Sequence, residues 1–118
     1  MLLFNVDVFQ EMIVGTTGTW YSYAQFNDIL GQAERLAVLA HTTNVGGTTP
    51  KLNIFADDSL DGKNWVLGTS SLYTATLTNG LVQFAQKVGG IGTFGRLRIQ
   101  LTGTTPQCRL KLTATGRS

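Results

Sequence analysis

Arg96-Leu97-Arg98-Ile99-Gln100-Leu101-Thr102-Gly103-Thr104-Thr105-Pro106-Gln107-Cys108-Arg109-Leu110-Lys111-Leu112 is the stretch whose reading decides the fold. Leu97, Ile99 and Leu101 alternate with Arg96, Arg98 and Gln100, the period-2 pattern of a half-buried strand. After Gly103-Thr104-Thr105-Pro106 the alternation resumes with Cys108, Leu110 and Leu112 against Arg109 and Lys111. The chain contains a second version of this arrangement. Arg35-Leu36-Ala37-Val38-Leu39 runs into Gly47-Thr48-Thr49-Pro50 and then Leu52-Asn53-Ile54. Each copy reads as a β-hairpin closed by the same loop. A duplicated hairpin predicts an all-β, two-sheet antiparallel β-sandwich of jelly-roll type, because a sheet with one apolar face needs a second to cover it.

The later hairpin can be put in register. A four-residue loop from Gly103 to Pro106 makes Leu101 face Cys108, Ile99 face Leu110 and Leu97 face Leu112, all apolar on one side. The other side then carries Arg96, Arg98, Arg109 and Lys111, with Arg98 opposite Lys111. Like charges directly opposed are unfavourable, so an acidic neighbour is implied, with Asp7 one source. In the first hairpin a five-residue loop from Gly46 to Pro50 puts Leu36, Val38, Ala40 and Thr42 on the face of Leu52, Ile54 and Ala56. Its other face shows Leu39, His41 and Phe55.

Working outward, strands are predicted at about 2–9, 19–25, 35–45, 51–57, 64–67, 72–77, 81–87, 95–102 and 108–115. Asn27 or Asp28 can cap a short helix near 27–34, with Ile29, Leu30 and Ala33 on one stripe. At 118 residues the chain has the length of one domain, 1–118, able to bury a core without disulfides. Its one cysteine, Cys108, forms no intrachain bridge and lies on the predicted inward face as a small hydrophobe. Met1 to Asp7 lacks a basic segment and meets an acid early, so no signal peptide is expected. No apolar run approaches the ~20 residues of a membrane helix.

Nine Lys/Arg against seven Asp/Glu give a net charge of +2, too weak for a protein whose surface wraps nucleic acid. Charged residues are only 14% of the chain, a composition suited to burial in an assembly. Gly90-Ile91-Gly92-Thr93-Phe94-Gly95 spells a dinucleotide-binding pattern, but a strand comes after it and no helix N-terminus is there to hold phosphate. Asp57, Ser59, Asp61 and Gly62 occupy calcium-loop spacing, which fails at Gly68, where a glutamate is required. The lone His41 has no second histidine with which to build a metal or Ser/His/Asp site. No cofactor and no catalytic activity are expected. Trp20-Tyr21-Ser22-Tyr23 places aromatics on both faces of one short strand, leaving Trp20, Tyr21 or Tyr23 as candidate contact residues for a sugar or a protein.

Ser59-Leu60-Asp61-Gly62-Lys63-Asn64-Trp65 is similar to the S-x-D-G-x-x-W signature of discoidin-type jelly rolls, and Gly95-Arg96-Leu97-Arg98-Ile99 looks like their A-R-Y-V-R-I strand, with Leu97 at the tyrosine position. That resemblance implies a carbohydrate-binding adhesion module. A fuller resemblance, over Leu36 to Trp65 and Arg96 to Pro106, is to small structural proteins of tailed phages. It implies a virion component made in the bacterial cytoplasm: a capsid decoration (cement) protein, or a tail accessory protein. The partners implied are a major capsid protein or another virion protein and further copies of this chain, a trimer by preference, with neither nucleic acid nor membrane. The expected interface residues are Leu39, His41, Phe55, Trp20, Tyr21, Tyr23, Arg96, Arg98, Arg109 and Lys111.

Overall fold

The computed structural model describes residues 2–14, 17–69, 71–88 and 93–117. Seven strands carry most of them: β1 (Leu2–Val14), β2 (Gly18–Tyr21), β3 (Arg35–Ser59), β4 (Trp65–Val66), β5 (Tyr73–Thr76), β6 (Gly80–Val88) and β7 (Phe94–Arg117). One short helix, α1 (Asn27–Gln32), comes after a 3-10 turn at Ala24–Phe26. All described strand pairs are antiparallel, so the chain is an all-β protein as its alternation predicts.

The pairing differs from the predicted hairpins. Neither Gly-Thr-Thr-Pro copy returns its strand onto itself. β3 and β7 run antiparallel to each other along their whole length, from Arg35↔Arg117 through Thr48↔Thr104 to Ser59↔Phe94. Leu101 therefore faces Leu52 instead of Cys108, Ile99 faces Ile54 instead of Leu110, and Leu97 faces Ala56 instead of Leu112. The backbone explains why. In both copies the first and third residues enter the left-handed region, Gly47 (φ 94°) with Thr49 (φ 46°) and Gly103 (φ 124°) with Thr105 (φ 45°). At these residues each strand bends and then continues along the other copy's strand instead of returning onto itself. The two bends lie against each other. A Cβ on Gly47 would sit 2.3 Å from the Thr105 carbonyl oxygen, and one on Gly103 would sit 2.7 Å from that of Thr49.

The bends divide one continuous sheet into two halves that share β3 and β7. In the first half the order is β1, then 107–117 of β7, then 35–43 of β3, then β6. In the second, β2 flanks 98–101 of β7, and β4 and β5 flank the last part of β3. The expected two layers are thus joined into one curled sheet. The curl is tied on one side by the segment after β2: Ser22 N–H donates to the Leu97 carbonyl and Tyr23 N–H to that of Val8, each at 2.9 Å.

Side-chain alternation fixes the faces even though the partners differ from those predicted. Leu97, Ile99, Leu101, Cys108, Leu110, Leu112 and Ala114 are fully buried, as are Val38 and Ile54, and they form one apolar cluster with Val8, Phe9 and Leu52. Burial pushes the Cys108 thiol up to about 11, so it is a packed apolar group and not a nucleophile. The helix forms where Asn27–Gln32 can set Leu30 into this cluster. Its N-cap is Phe26, with no side-chain capping bond, in place of the expected Asn27 or Asp28. The predicted strand 19–25 ends at Tyr21, because Ser22 and Tyr23 are already crossing towards β1.

Candidate functional site

The outer face of the second half carries a cation–aromatic cluster built around Asp57. Asp57 shares a strand face with Phe55, pointing away from the core, yet it is fully buried. Arg96 lies directly opposite it across the ladder, and Arg98 lies opposite Phe55. The Asp57 carboxylate accepts from Arg96 Nε (3.0 Å), from Arg98 Nε (3.2 Å) and from the Gly68 N–H (2.9 Å). Arg98 also donates through Nη2 to the Gly68 carbonyl at 2.8 Å. A Cβ at position 68 would stand 2.2 Å from the Ala56 carbonyl oxygen, so glycine is what lets this backbone fold down over the acid. The buried carboxylate is met by donors on both oxygens, the condition under which a buried charge is tolerated.

The arginines are held from above by rings. The Arg96 guanidinium lies between Tyr21 and Trp65, 4.2 and 4.3 Å from their centroids, and Arg98 lies over Phe55 at 4.4 Å. Planar guanidinium groups favour such stacking, and desolvation strengthens it. Trp65 reaches Arg96 because the preceding loop is tightly bonded. Asp61 Oδ1 accepts from Lys63 N–H and Asn64 N–H, both at 2.8 Å, and Oδ2 accepts from Asn64 Nδ2 at 2.7 Å. Ser59 Oγ accepts from Gly62 N–H (2.9 Å) and donates to the Asn64 carbonyl (2.7 Å). These donors, the Asn64 amide foremost, hold the Asp61 carboxyl well below the usual carboxylate range. A lowered folded value means that the loop gains stability above the ordinary aspartate value of about 4 and loses it as pH falls from there.

This geometry accounts for the two acidic positions that resembled a calcium loop. Asp57 is engaged by two arginines and Asp61 by its own loop's amides. Gly68, where a calcium loop would have a glutamate, instead supplies the backbone groups over Asp57. Among the described residues, no three metal-ligating side chains gather. The glycine-rich segment from Gly90 to Gly92 lies outside the described residues, and strand β7 begins at Phe94 within the same motif.

The ten candidate interface residues do not form one surface. Tyr21, Phe55, Arg96 and Arg98 belong to the cluster around Asp57. Trp20 packs against the core, and Tyr23 stacks on Phe9 while its hydroxyl donates to the Gln10 carbonyl (2.9 Å). Trp20, Tyr21 and Tyr23 therefore have three different surroundings. Leu39, His41, Arg109 and Lys111 lie on the outer face of the other half, where His41 pairs with Lys111 and Thr43 with Arg109. The cationic quartet predicted for one sheet face is split between two, because Arg98 and Lys111 are not hairpin partners. The expected acidic neighbour is present in both places: Asp7 lies 3.6 Å from Lys111, and Asp57 holds Arg96 and Arg98.

After the cluster's acid, the turn joining β3 to β4 and the residues beyond it present Leu60, Val66 and Leu67 to solvent, 73%, 58% and 54% exposed; Val66 pairs with Asp58 and so lies on the face of the sheet opposite to Trp65. Among the described residues, no helix is long and apolar enough to cross a membrane. No protein-family profile, curated protein or solved structure matches this chain.

Proposed function

We propose that this protein is a non-enzymatic structural protein that binds the outside of a phage-like capsid as a homo-oligomer, stabilising the shell by burying area across subunit junctions. The observation that carries the reading is that three large apolar side chains, Leu60, Val66 and Leu67, are left in water in the one short segment that also supplies Trp65. Large exposed apolar surface marks contact sites, and here it comes from neighbouring positions of one segment. The arginine bracketed by Tyr21 and by Trp65 of the same segment has the composition favoured at the centre of protein interfaces. The low charge and the tailed-phage pattern from Leu36 to Trp65 point the same way.

The test is co-sedimentation with heads assembled from the capsid protein of the same genome, alongside analytical ultracentrifugation of the free protein. Saturable pelleting with the heads, lost in a Leu60→Asp/Val66→Asp variant that still folds, is the expected result. A monomer that stays in the supernatant would overturn it. A defined glycan-array signal, lost on Tyr21→Ala, would favour a carbohydrate-binding module instead.

A further inference from the structure

A second pair of arginines, at the far end of the first half of the sheet, is arranged differently from the pair around Asp57. Arg35 and Arg117 are direct partners across the β3–β7 ladder, and both are exposed. Directly opposed like charges in an antiparallel pair destabilise it. Among the described residues, neither guanidinium has a carboxylate within 4.0 Å, Glu34 included, and neither stacks on a ring. The two cations border an open groove of about 710 Å³, lined also by Leu2, Asn5, Ala37 and Thr115. Thr115 Oγ1 donates to Asn5 Oδ1 at 3.4 Å. The Asn5 NH2 group is a further donor beside the groove. Asp7, two residues beyond Asn5 on the same face of β1, is taken up by Lys111 and by Thr113 Oγ1 (2.6 Å).

We infer that the groove between Arg35 and Arg117 is an oxyanion-binding site, in which the two guanidinium groups clamp a carboxylate or phosphate and Asn5 donates a further hydrogen bond. Guanidinium forks match the geometry of such groups. An occupant would remove the repulsion that the unliganded ladder carries. The groove's volume is in the range of sites that hold whole small ligands, so it has room for a free anion or for one carried on a larger body that lies along Leu2 and Ala37. The site is remote in the sheet from the Arg96 cluster, and the inference does not depend on the capsid reading.

The test is calorimetric titration of the full chain with two probes, inorganic phosphate and a tetraglutamate peptide, repeated on Arg35→Gln and Arg117→Gln. Saturable binding of either probe, weakened roughly tenfold or more by each substitution, is expected, given what a charge-assisted contact contributes. Tighter binding of the peptide identifies an acidic segment of a partner, and binding of phosphate alone identifies a small anion. Without any anion the variants should melt at or above the parental temperature, since each removes a repulsion and no ion pair. No saturable binding of either probe, or binding unchanged in both variants, would overturn the inference.

Discussion

The two ends of the long β3–β7 ladder place an arginine in contrasting company. Near one end Arg96 faces Asp57, and near the other Arg35 faces Arg117. At the first, the acid is fully buried, both arginines that hold it are largely covered, and rings and a backbone loop close over them. At the second, both charges are open to water beside a groove. One end has its counter-charge built in; at the other, among the described residues, no carboxylate lies within ion-pair distance of either arginine. The same residue type thus serves architecture in one half and recognition in the other, and the difference lies in the residue across the ladder.

That contrast can be broken at either end. Asp57→Asn should have the largest effect, a loss of about 3–5 kcal/mol in unfolding free energy by urea denaturation, because it leaves two mostly buried cations without a counter-charge. A cost below about 1 kcal/mol would mean that the cluster is solvated and that the two ends are alike. Trp65→Ala should cost less, about 1–2 kcal/mol, by opening one side of the Arg96 stack; a fluorescence-monitored melt of the parent should show Trp65 losing its environment together with the core. Arg117→Asp should have the smallest effect, a gain of about 0.5 kcal/mol or less, since it creates an ion pair that is exposed. The same substitution should abolish binding of phosphate or tetraglutamate while leaving the fold unchanged, which makes it the sharpest separation of the two ends.

The sequence revealed which side of each strand faces the core. Leu97, Ile99, Leu101, Cys108, Leu110 and Leu112, all expected inside, are buried, because period-2 alternation assigns a face whatever strand lies alongside. It did not reveal the neighbour. Reading Gly103 to Pro106 as a reversal made Arg98 the partner of Lys111 and gathered four cations on one face. In the structure the same residues bend the strand, and the cations separate. Asp57 was legible only as the first position of a broken calcium loop. The signal that marks it is its parity with Phe55: an acid at an outward position, in a copy whose twin carries Arg-x-Arg outward.

What the sequence alone determined is therefore local: an all-β chain, its inward faces, a short helix near 27–34 and Cys108 on an inward face. These features arise from alternation, helix periodicity and turn chemistry acting within a few residues. Only the tertiary structure decided that β3 pairs with β7, that Asp57 stands between Arg96 and Arg98, and that Arg35 and Arg117 are left facing each other. Those pairings join residues tens of positions apart, and the two Gly-Thr-Thr-Pro bends select them by packing against each other, an interaction that no single copy of the motif contains.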